Sequence, residues 1–184
     1  MRSRPLLALF WMATSAIAAG LELRITPPAG PILAGGFPQF AAEIENTGSG
    51  AVSLILPGDG SESKWRTPVV GWSILPADRP ELAHPAEPPL LRGGRCGNVN
   101  SLQLSEVFTL KPGEKRALGD WIGQPRFDRP GRYRVVFYYQ NLPELRFRGL
   151  AAEAPSARIV REFRASTPCL LRSREMVVEV RPPG

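Results

Sequence analysis

The chain has few of the side chains that enzymes most often use for chemistry. Its 184 residues include one histidine and two cysteines. One histidine is too few for a zinc site with several histidine ligands or for a two-histidine iron site. The histidine, His84, precedes Pro85 in a proline-rich stretch and is predicted to be an exposed loop residue. Because Gly-x-Ser-x-Gly turns and glycine-rich phosphate loops are also missing, we expect a non-enzymatic protein without catalytic residues, metal or cofactor.

The chain also lacks an apolar run long enough to span a membrane. Residues 6–13 are apolar, but this stretch is shorter than the ~20 residues that a membrane-spanning helix needs. It follows two arginines and precedes the small-residue pattern Ala16-Ile17-Ala18, which is typical of a cleaved signal peptide. Residues 1–20 are therefore predicted to be a signal peptide and residues 21–184 a single domain. We expect an exported protein, periplasmic or extracellular, with no transmembrane span in the mature chain.

Lysine is scarce, and most of the positive charge comes from arginine. The formal net charge is +6, but no dense basic run is interleaved with aromatic residues, so nucleic-acid binding is not expected. The most basic region includes Arg146, Arg148 and Arg161. These residues are candidates for contact with an acidic partner or with lipid headgroups. A solvated, arginine-rich surface is the alternative.

The two cysteines, Cys96 and Cys169, are predicted to form one disulfide if the chain is exported. The bridge would close a loop of about 74 residues and stabilise the fold by roughly 4 kcal/mol in the chain-entropy treatment. Buried free thiols are the alternative. Cys96 lies among glycines, and the inward strand position where an antibody domain carries cysteine holds Val135. We therefore expect the bridge to tie two long loops together and not to join two sheets.

Short alternating segments separated by turn residues dominate the remainder of the chain, which predicts seven or eight strands. The predicted strands cover residues 21–25, 40–45, 52–56, 69–75, 107–110, 116–118, 133–139 and 175–180. Two long connections, 76–99 and 141–173, separate some of them. In the second connection, the spacing of Ile159 and Phe163 after Pro155-Ser156 indicates one short helix with its arginines toward solvent. The pattern favours an all-β antiparallel sandwich.

One turn and the strand after it carry a more specific signal. Asp128-Arg129-Pro130-Gly131 leads into a strand in which Tyr133, Val135, Phe137 and Tyr139 share a face. A tyrosine at this place is typical of a tyrosine corner, in which the phenol bonds back to the backbone upstream.

The same turn, with Asn46-Thr47-Gly48 and Leu110-Lys111-Pro112-Gly113-Glu114, resembles the immunoglobulin-like modules of bacterial exported proteins, of the CARDB or fibronectin III type. The resemblance covers about residues 21–180. It implies an immunoglobulin-like antiparallel sandwich of seven to eight strands with two long loop insertions. Its motifs are turn and strand motifs, so it implies no particular activity.

Two tryptophans near one end of the predicted fold bear on binding. Trp65 and Arg66 are of the residue types that anchor interfaces, whereas Trp72 is predicted to be a core residue. Asp59 offers a carboxylate in a turn, which suits calcium but is also an ordinary turn residue. The leading hypothesis is a module that acts by contact with an unknown protein partner. A carbohydrate- or calcium-binding module and a loop-presenting protease inhibitor are the alternatives.

Overall fold

A computed structural model of the protein describes residues 20–58, 67–89, 102–119, 122–144 and 155–183. These residues form ten strands, one α-helix and one short 3₁₀ helix. The strands are β1 (Leu21–Thr26), β2 (Ile32–Leu33), β3 (Ala41–Asn46), β4 (Val52–Ile55), β5 (Val69–Pro76), β6 (Val107–Leu110), β7 (Lys115–Ala117), β8 (Gly131–Asn141), β9 (Cys169–Arg172) and β10 (Met176–Arg181). The helix α1 covers Ala157–Arg164, and the 3₁₀ helix covers Leu104–Glu106. The prediction of a predominantly β protein is confirmed.

The described strands belong to three sheets. The largest has the order β2-β10-β8-β5, with β9 also paired to β8. A second sheet has the order β1-β3-β7, and β4 pairs with β6 in a third. The pairs are antiparallel except for β2 with β10, which run parallel.

Strand β8 lies in the middle of the large sheet, with β5 on one side and β9 and β10 on the other. Most of its residues are therefore buried. Its inner face, which carries Val135, Phe137 and Tyr139, packs into the apolar core. Trp72 of β5 lies against the same core, with its ring centroid 4.6 Å from that of Phe137 and its indole N–H donating to the carbonyl of Ile122 at 3.1 Å. Trp72 is half-buried and packs against the core, so the prediction that it is a core residue is confirmed in part.

Strands β9 and β10 follow one another along the same edge of β8, with a bulge between them. Tyr138 is opposite Arg172 and Val135 is opposite Met176, so residues 173–175 face only two residues of β8. The Ser173 hydroxyl accepts from the N–H of Phe137 at 3.0 Å, which satisfies the interrupted ladder. One extra residue keeps the apolar side chains of β9 and β10 on the same face of the sheet.

Buried polar side chains join the three sheets. The Tyr139 hydroxyl donates to the carbonyl of Ile55 at 2.7 Å and accepts from the N–H of the same residue at 3.1 Å. These bonds tie β8 to β4. The Asn46 amide donates to the carbonyl of Leu110 at 2.9 Å and so ties β3 to β6.

The connection 141–173, predicted as a long loop insertion, contains regular structure. The predicted helix is confirmed: Ser156 caps α1, Phe163 is buried, and Arg158, Arg161 and Arg164 are exposed. The prediction was wrong for Cys169, which begins β9 and does not lie in a loop. The two-residue strand β2 was also missed. Strand β2 has only two residues, and the sequence of β9, Cys-Leu-Leu-Arg, does not alternate. Strand β2 pairs with β10 and β9 with β8, and neither pairing is visible in the local sequence.

The arrangement of the strands as an immunoglobulin-like sandwich stays a prediction. Among the described residues, no helix is both long and apolar enough to cross a membrane. The predicted signal peptide lies outside the described residues apart from Gly20.

Candidate binding surfaces

The histidine is held in a polar cluster on the outer face of the large sheet, opposite the core. Nδ1 of His84 is 2.7 Å from Oγ of Ser73 on β5, and Nε2 is 3.1 Å from a carboxylate oxygen of Glu175 in the bulge. Arg134 of β8 approaches that oxygen at 3.6 Å. The His84 side chain is 1% exposed, so the prediction of an exposed loop histidine was wrong. The error arose because the residues that enclose it are brought there by the fold.

The contacts of this cluster hold the chain segment that carries His84 against the sheet. Burial lowers the pKa of His84, and the carboxylate of Glu175 only partly opposes this shift, so the imidazole is neutral at pH 7. A serine, a histidine and a glutamate in contact resemble a nucleophilic triad. However, Ser73 is 5% exposed and lies under the chain segment that carries His84, so a substrate has no access to its hydroxyl. The contacts position that segment on the sheet.

Residues 77–89, which we call the strap, cross the outer face of β8 and β5. Arg134 donates to the carbonyls of Arg79 at 3.0 Å and Leu82 at 2.7 Å, and the Tyr138 hydroxyl donates to the carbonyl of Pro85 at 2.7 Å. The strap ends over Gly71, where a Cβ would lie 2.5 Å from the carbonyl oxygen of Pro89. The first half of the predicted loop 76–99 is therefore fixed to the sheet.

A groove runs between two sheet edges on one side of the molecule, and we call it the edge groove. One part, about 370 Å³, lies between residues 22–25 of β1 and residues 174–176. The other part, about 650 Å³, lies between residues 27–32 and β10. Met176 lines both parts, so the two parts of the edge groove adjoin at this residue. Its first part is lined by four charged side chains, and its second part by prolines and apolar residues together with Glu179 and Arg181.

A short turn beside the edge groove presents apolar side chains to solvent. Leu33 is 40% exposed and Phe37 is 75% exposed. The N–H of Gly36 donates to the carbonyl of Leu33 at 3.1 Å, and the N–H of Gly35 donates to the carbonyl of Phe127 at 2.8 Å. We call residues 33–37 the apolar turn. The first bond closes the turn and the second joins it to the body of the protein, while Phe37 remains uncovered by the described residues.

A third surface is basic. Arg79, Arg129 and Arg132 line a groove of about 580 Å³ between the strap and the turn before β8. Tyr133 lies in the same groove, and its hydroxyl donates to the carbonyl of Arg129 at 2.8 Å, four residues upstream.

The structure does not bring the predicted site residues together. Arg161 is exposed on α1, with a guanidinium nitrogen 3.5 Å from a carboxylate oxygen of Glu162, and it lines neither the edge groove nor the basic groove. The other predicted binding residues, and the Asp59 turn proposed for calcium, lie outside the described residues: Trp65, Arg66, Arg146 and Arg148. Within the described part of the chain, no group of three or more His, Cys, Asp or Glu side chains is placed to hold a metal ion.

Cys169 is buried on β9, and burial raises the pKa of its thiol to about 11. Its predicted partner, Cys96, lies outside the described residues, so the disulfide stays a prediction. No disulfide is seen within the part of the chain that the structure describes.

The grooves and the apolar turn were not predicted, although the sequence carries a partial signal for them. Prolines at positions 27, 28 and 31 mark a segment that cannot pair as a regular strand. The remaining features depend on contacts between strands that are distant in sequence. Comparisons with protein-family models, with curated proteins and with solved structures find no match to this chain.

Proposed function

We propose that this chain is an exported, immunoglobulin-like sandwich that acts by binding another protein in the cell envelope or outside the cell. The apolar turn carries the proposal. A phenylalanine that is 75% exposed, on a turn hydrogen-bonded to the body of the protein, has the properties of an interface anchor. Because the turn is already fixed, little conformational entropy is lost on binding.

Two further observations support the fold and the surface. The Tyr133 bond to the carbonyl of Arg129 has the geometry expected of a tyrosine corner, which belongs to Greek-key sandwiches of the immunoglobulin type. The strap fixes a long connection to the outer face of β8 and β5 by side-chain hydrogen bonds, which makes that part of the scaffold rigid. Rigid scaffolds that present binding segments are the usual way in which this fold gains function.

An affinity capture from the parent cell envelope tests the proposal. The bait is the chain from Leu21 onward, and the test variant carries Leu33→Asp and Phe37→Asp. Leu142→Asp is the matched control, because Leu142 is an apolar residue that is 36% exposed and lies outside the apolar turn. We expect a specific protein that is captured by the unaltered chain and by the control and is lost with the turn variant.

Two outcomes contradict the proposal. One is that no protein is captured while the chain binds a glycan or Ca²⁺ in a titration. The other is that the same protein is captured with equal yield by the turn variant and the control, which would remove the apolar turn as the anchor.

The predicted Cys96–Cys169 bridge is part of this proposal. Because Cys169 is fixed on β9, the bridge would tie the segment around Cys96 to the large sheet. Mass spectrometry of the exported, non-reduced protein after alkylation in denaturant tests it. We expect no alkylated cysteine, and two alkylated cysteines would contradict the bridge.

A further inference from the structure

We propose that the edge groove accepts an extended segment of a partner protein, which adds to the outer edge of β10 as a further strand. The inference rests on the proposed function, because it assumes a protein partner, and it names the surface and the conformation that the partner presents. The ligand class is an extended polypeptide with alternating apolar side chains.

The outer edge of β10 is free in its first half, where the N–H and C=O of Val177 and the N–H of Glu179 lie before the pairing with β2 begins. Strand β2 pairs only with Val180 and Arg181, and the carbonyl of Arg181 accepts from the N–H of Ala34 at 2.9 Å. In a strand, the N–H and C=O of alternate residues point to the same edge, so those of Val177 and Glu179 point to the edge that faces the groove.

The pairing of β10 with β8 independently shows which backbone groups of β10 point toward the groove. The carbonyl of Arg132 accepts from the N–H of Ala77 at 2.9 Å, so even-numbered residues of β8 bond toward β5 and Tyr133 bonds toward β10. Tyr133 is opposite Val178, which therefore bonds to β8. In the described part of the chain, the backbone of Val177 has no hydrogen-bond partner.

The opposite wall of the groove begins with a second free edge. The carbonyl of Gly20 accepts from the N–H groups of Thr47 and Gly48, so even-numbered residues of β1 bond to β3. The backbone groups of Leu23 and Ile25 then point away from β3, into the first part of the groove. Two strand edges with free donors and acceptors therefore line the same groove.

The prolines in residues 27–31 keep this segment from pairing with β10, so the second part of the groove stays open. Pro27, Pro28 and Pro31 lie opposite β10 and have no backbone N–H, so this segment cannot form a regular ladder with Val177 and Glu179. Pairing begins only at Ile32, the first residue after Pro31. The prolines give the groove an apolar wall in place of a strand.

The lining of the groove indicates the chemistry of the segment that it takes. Strand edges offer donors and acceptors at the repeat of an extended polypeptide, which makes strand addition the recognition mode that fits them. The prolines, Ile32, Met176 and Val178 line the second part beside Glu179 and Arg181, and Val177 is 50% exposed next to them. The first part carries Glu22, Arg24, Arg174 and Glu175. We therefore expect apolar side chains toward the proline wall and a charged or polar residue at the β1 end.

Amide hydrogen exchange of the full chain with a selected peptide tests the pairing directly. The probe is a peptide of about eight residues, an ordinary strand length, selected from a displayed random library against the protein. We expect slower exchange at the amides of Val177 and Glu179. The amides of Met176 and Val178 should change little, because they already bond to β8. Failure to select any peptide, or protection confined to the basic groove around Arg132, overturns the inference.

A pair of variants tests the backbone contribution. Val177→Pro removes the N–H that faces the groove, whereas Val177→Thr keeps it on a β-branched side chain of similar size. The loss of one backbone hydrogen bond is expected to weaken peptide binding about tenfold in Val177→Pro, and the change in Val177→Thr should be under about twofold. Equal affinities of the two variants overturn the inference. Because Val177→Pro could alter folding, a peptide N-methylated at the amides that face β10 provides the same test with unaltered protein.

The capture experiment separates this inference from the proposed function. A partner that is captured equally by Val177→Pro and Val177→Thr overturns the groove as its site and leaves the proposed function standing. Peptides that protect the Val177 amide, with no protein captured from the envelope, support the groove and contradict the proposed function.

Discussion

At the scale of single residues, Tyr133 offers the simplest test of the turn before β8. Its hydroxyl donates to the carbonyl of Arg129 at 2.8 Å near the surface. Replacing it with phenylalanine removes this bond, and water can reach the freed carbonyl. We expect Tyr133→Phe to lower the free energy of unfolding by about 1 kcal/mol, measured by urea denaturation. An unchanged value would argue against a tyrosine corner.

The lowered pKa of His84 predicts how the stability of the protein depends on pH. Burial lowers its pKa below the ordinary value of 6.5, so in mildly acidic solution the unfolded chain binds a proton that the folded chain does not. This group is therefore expected to make stability fall as the pH drops below about 6.5. Glu175, Arg134 and Arg172 act on the imidazole, and desolvation is the largest cause of the shift.

Comparison with His84→Gln isolates this effect, because the chain has one histidine. Glutamine keeps a hydrogen-bonding side chain and does not titrate. We expect the unaltered protein to lose more stability than His84→Gln between about pH 7.5 and pH 5, measured by denaturant unfolding at each pH. Parallel curves for the two proteins would show that His84 is not buried in the way described.

At the scale of the elements, the strap depends on the absence of a side chain at one position of β5. A Cβ at Gly71 would lie 2.5 Å from the carbonyl oxygen of Pro89, which is backbone and cannot turn away. We expect Gly71→Ala to destabilise the protein by roughly 1–3 kcal/mol, as measured by thermal unfolding. Gly30→Ala is the control, since nothing lies within 4 Å of its Cβ position. Similar effects of both substitutions would show that Pro89 of the strap does not lie over Gly71.

Local sequence patterns predicted most of the strands and missed those that depend on distant pairing. The strong alternation of β8 and the alternating or β-branched segments of β1, β3, β5 and β10 predicted those strands, because burial of one face requires that pattern. Strand β2 has only two residues, and the residues of β9 do not alternate between apolar and polar. The bulge that joins β9 to β10 could not be predicted, since it depends on which residue of β8 each strand opposes.

The candidate surfaces were harder to predict than the strands for the same physical reason. His84 is enclosed by Ser73 and Glu175, and no local pattern places these residues together. The edge groove exists because β2 pairs with so little of β10, which is a property of strand pairing. The prolines of residues 27–31 were visible in the sequence as a break, but what they lie beside was not.

At the scale of the whole molecule, the buried hydroxyl of Tyr139 joins the large sheet to the sheet of β4 and β6. It bonds to both backbone groups of Ile55, and burial raises its pKa well above the ordinary value. Phenylalanine would leave a buried N–H and a buried C=O without their partner. We expect Tyr139→Phe to cost about 2–3 kcal/mol in urea unfolding, more than Tyr133→Phe, because unsatisfied buried groups are costly. A smaller loss than in Tyr133→Phe would show that Tyr139 does not couple β8 to β4.

The free edge of β10 has a consequence for the protein in isolation. A strand edge that can receive another chain can also receive a second copy, and repeated addition of copies leads to aggregates. The prolines of residues 27–31 and the charged side chains Glu22 and Arg24 border the groove, and residues of these types are expected to oppose such growth. The same residues that shape the groove for one segment would thus keep the protein dispersed until that segment arrives.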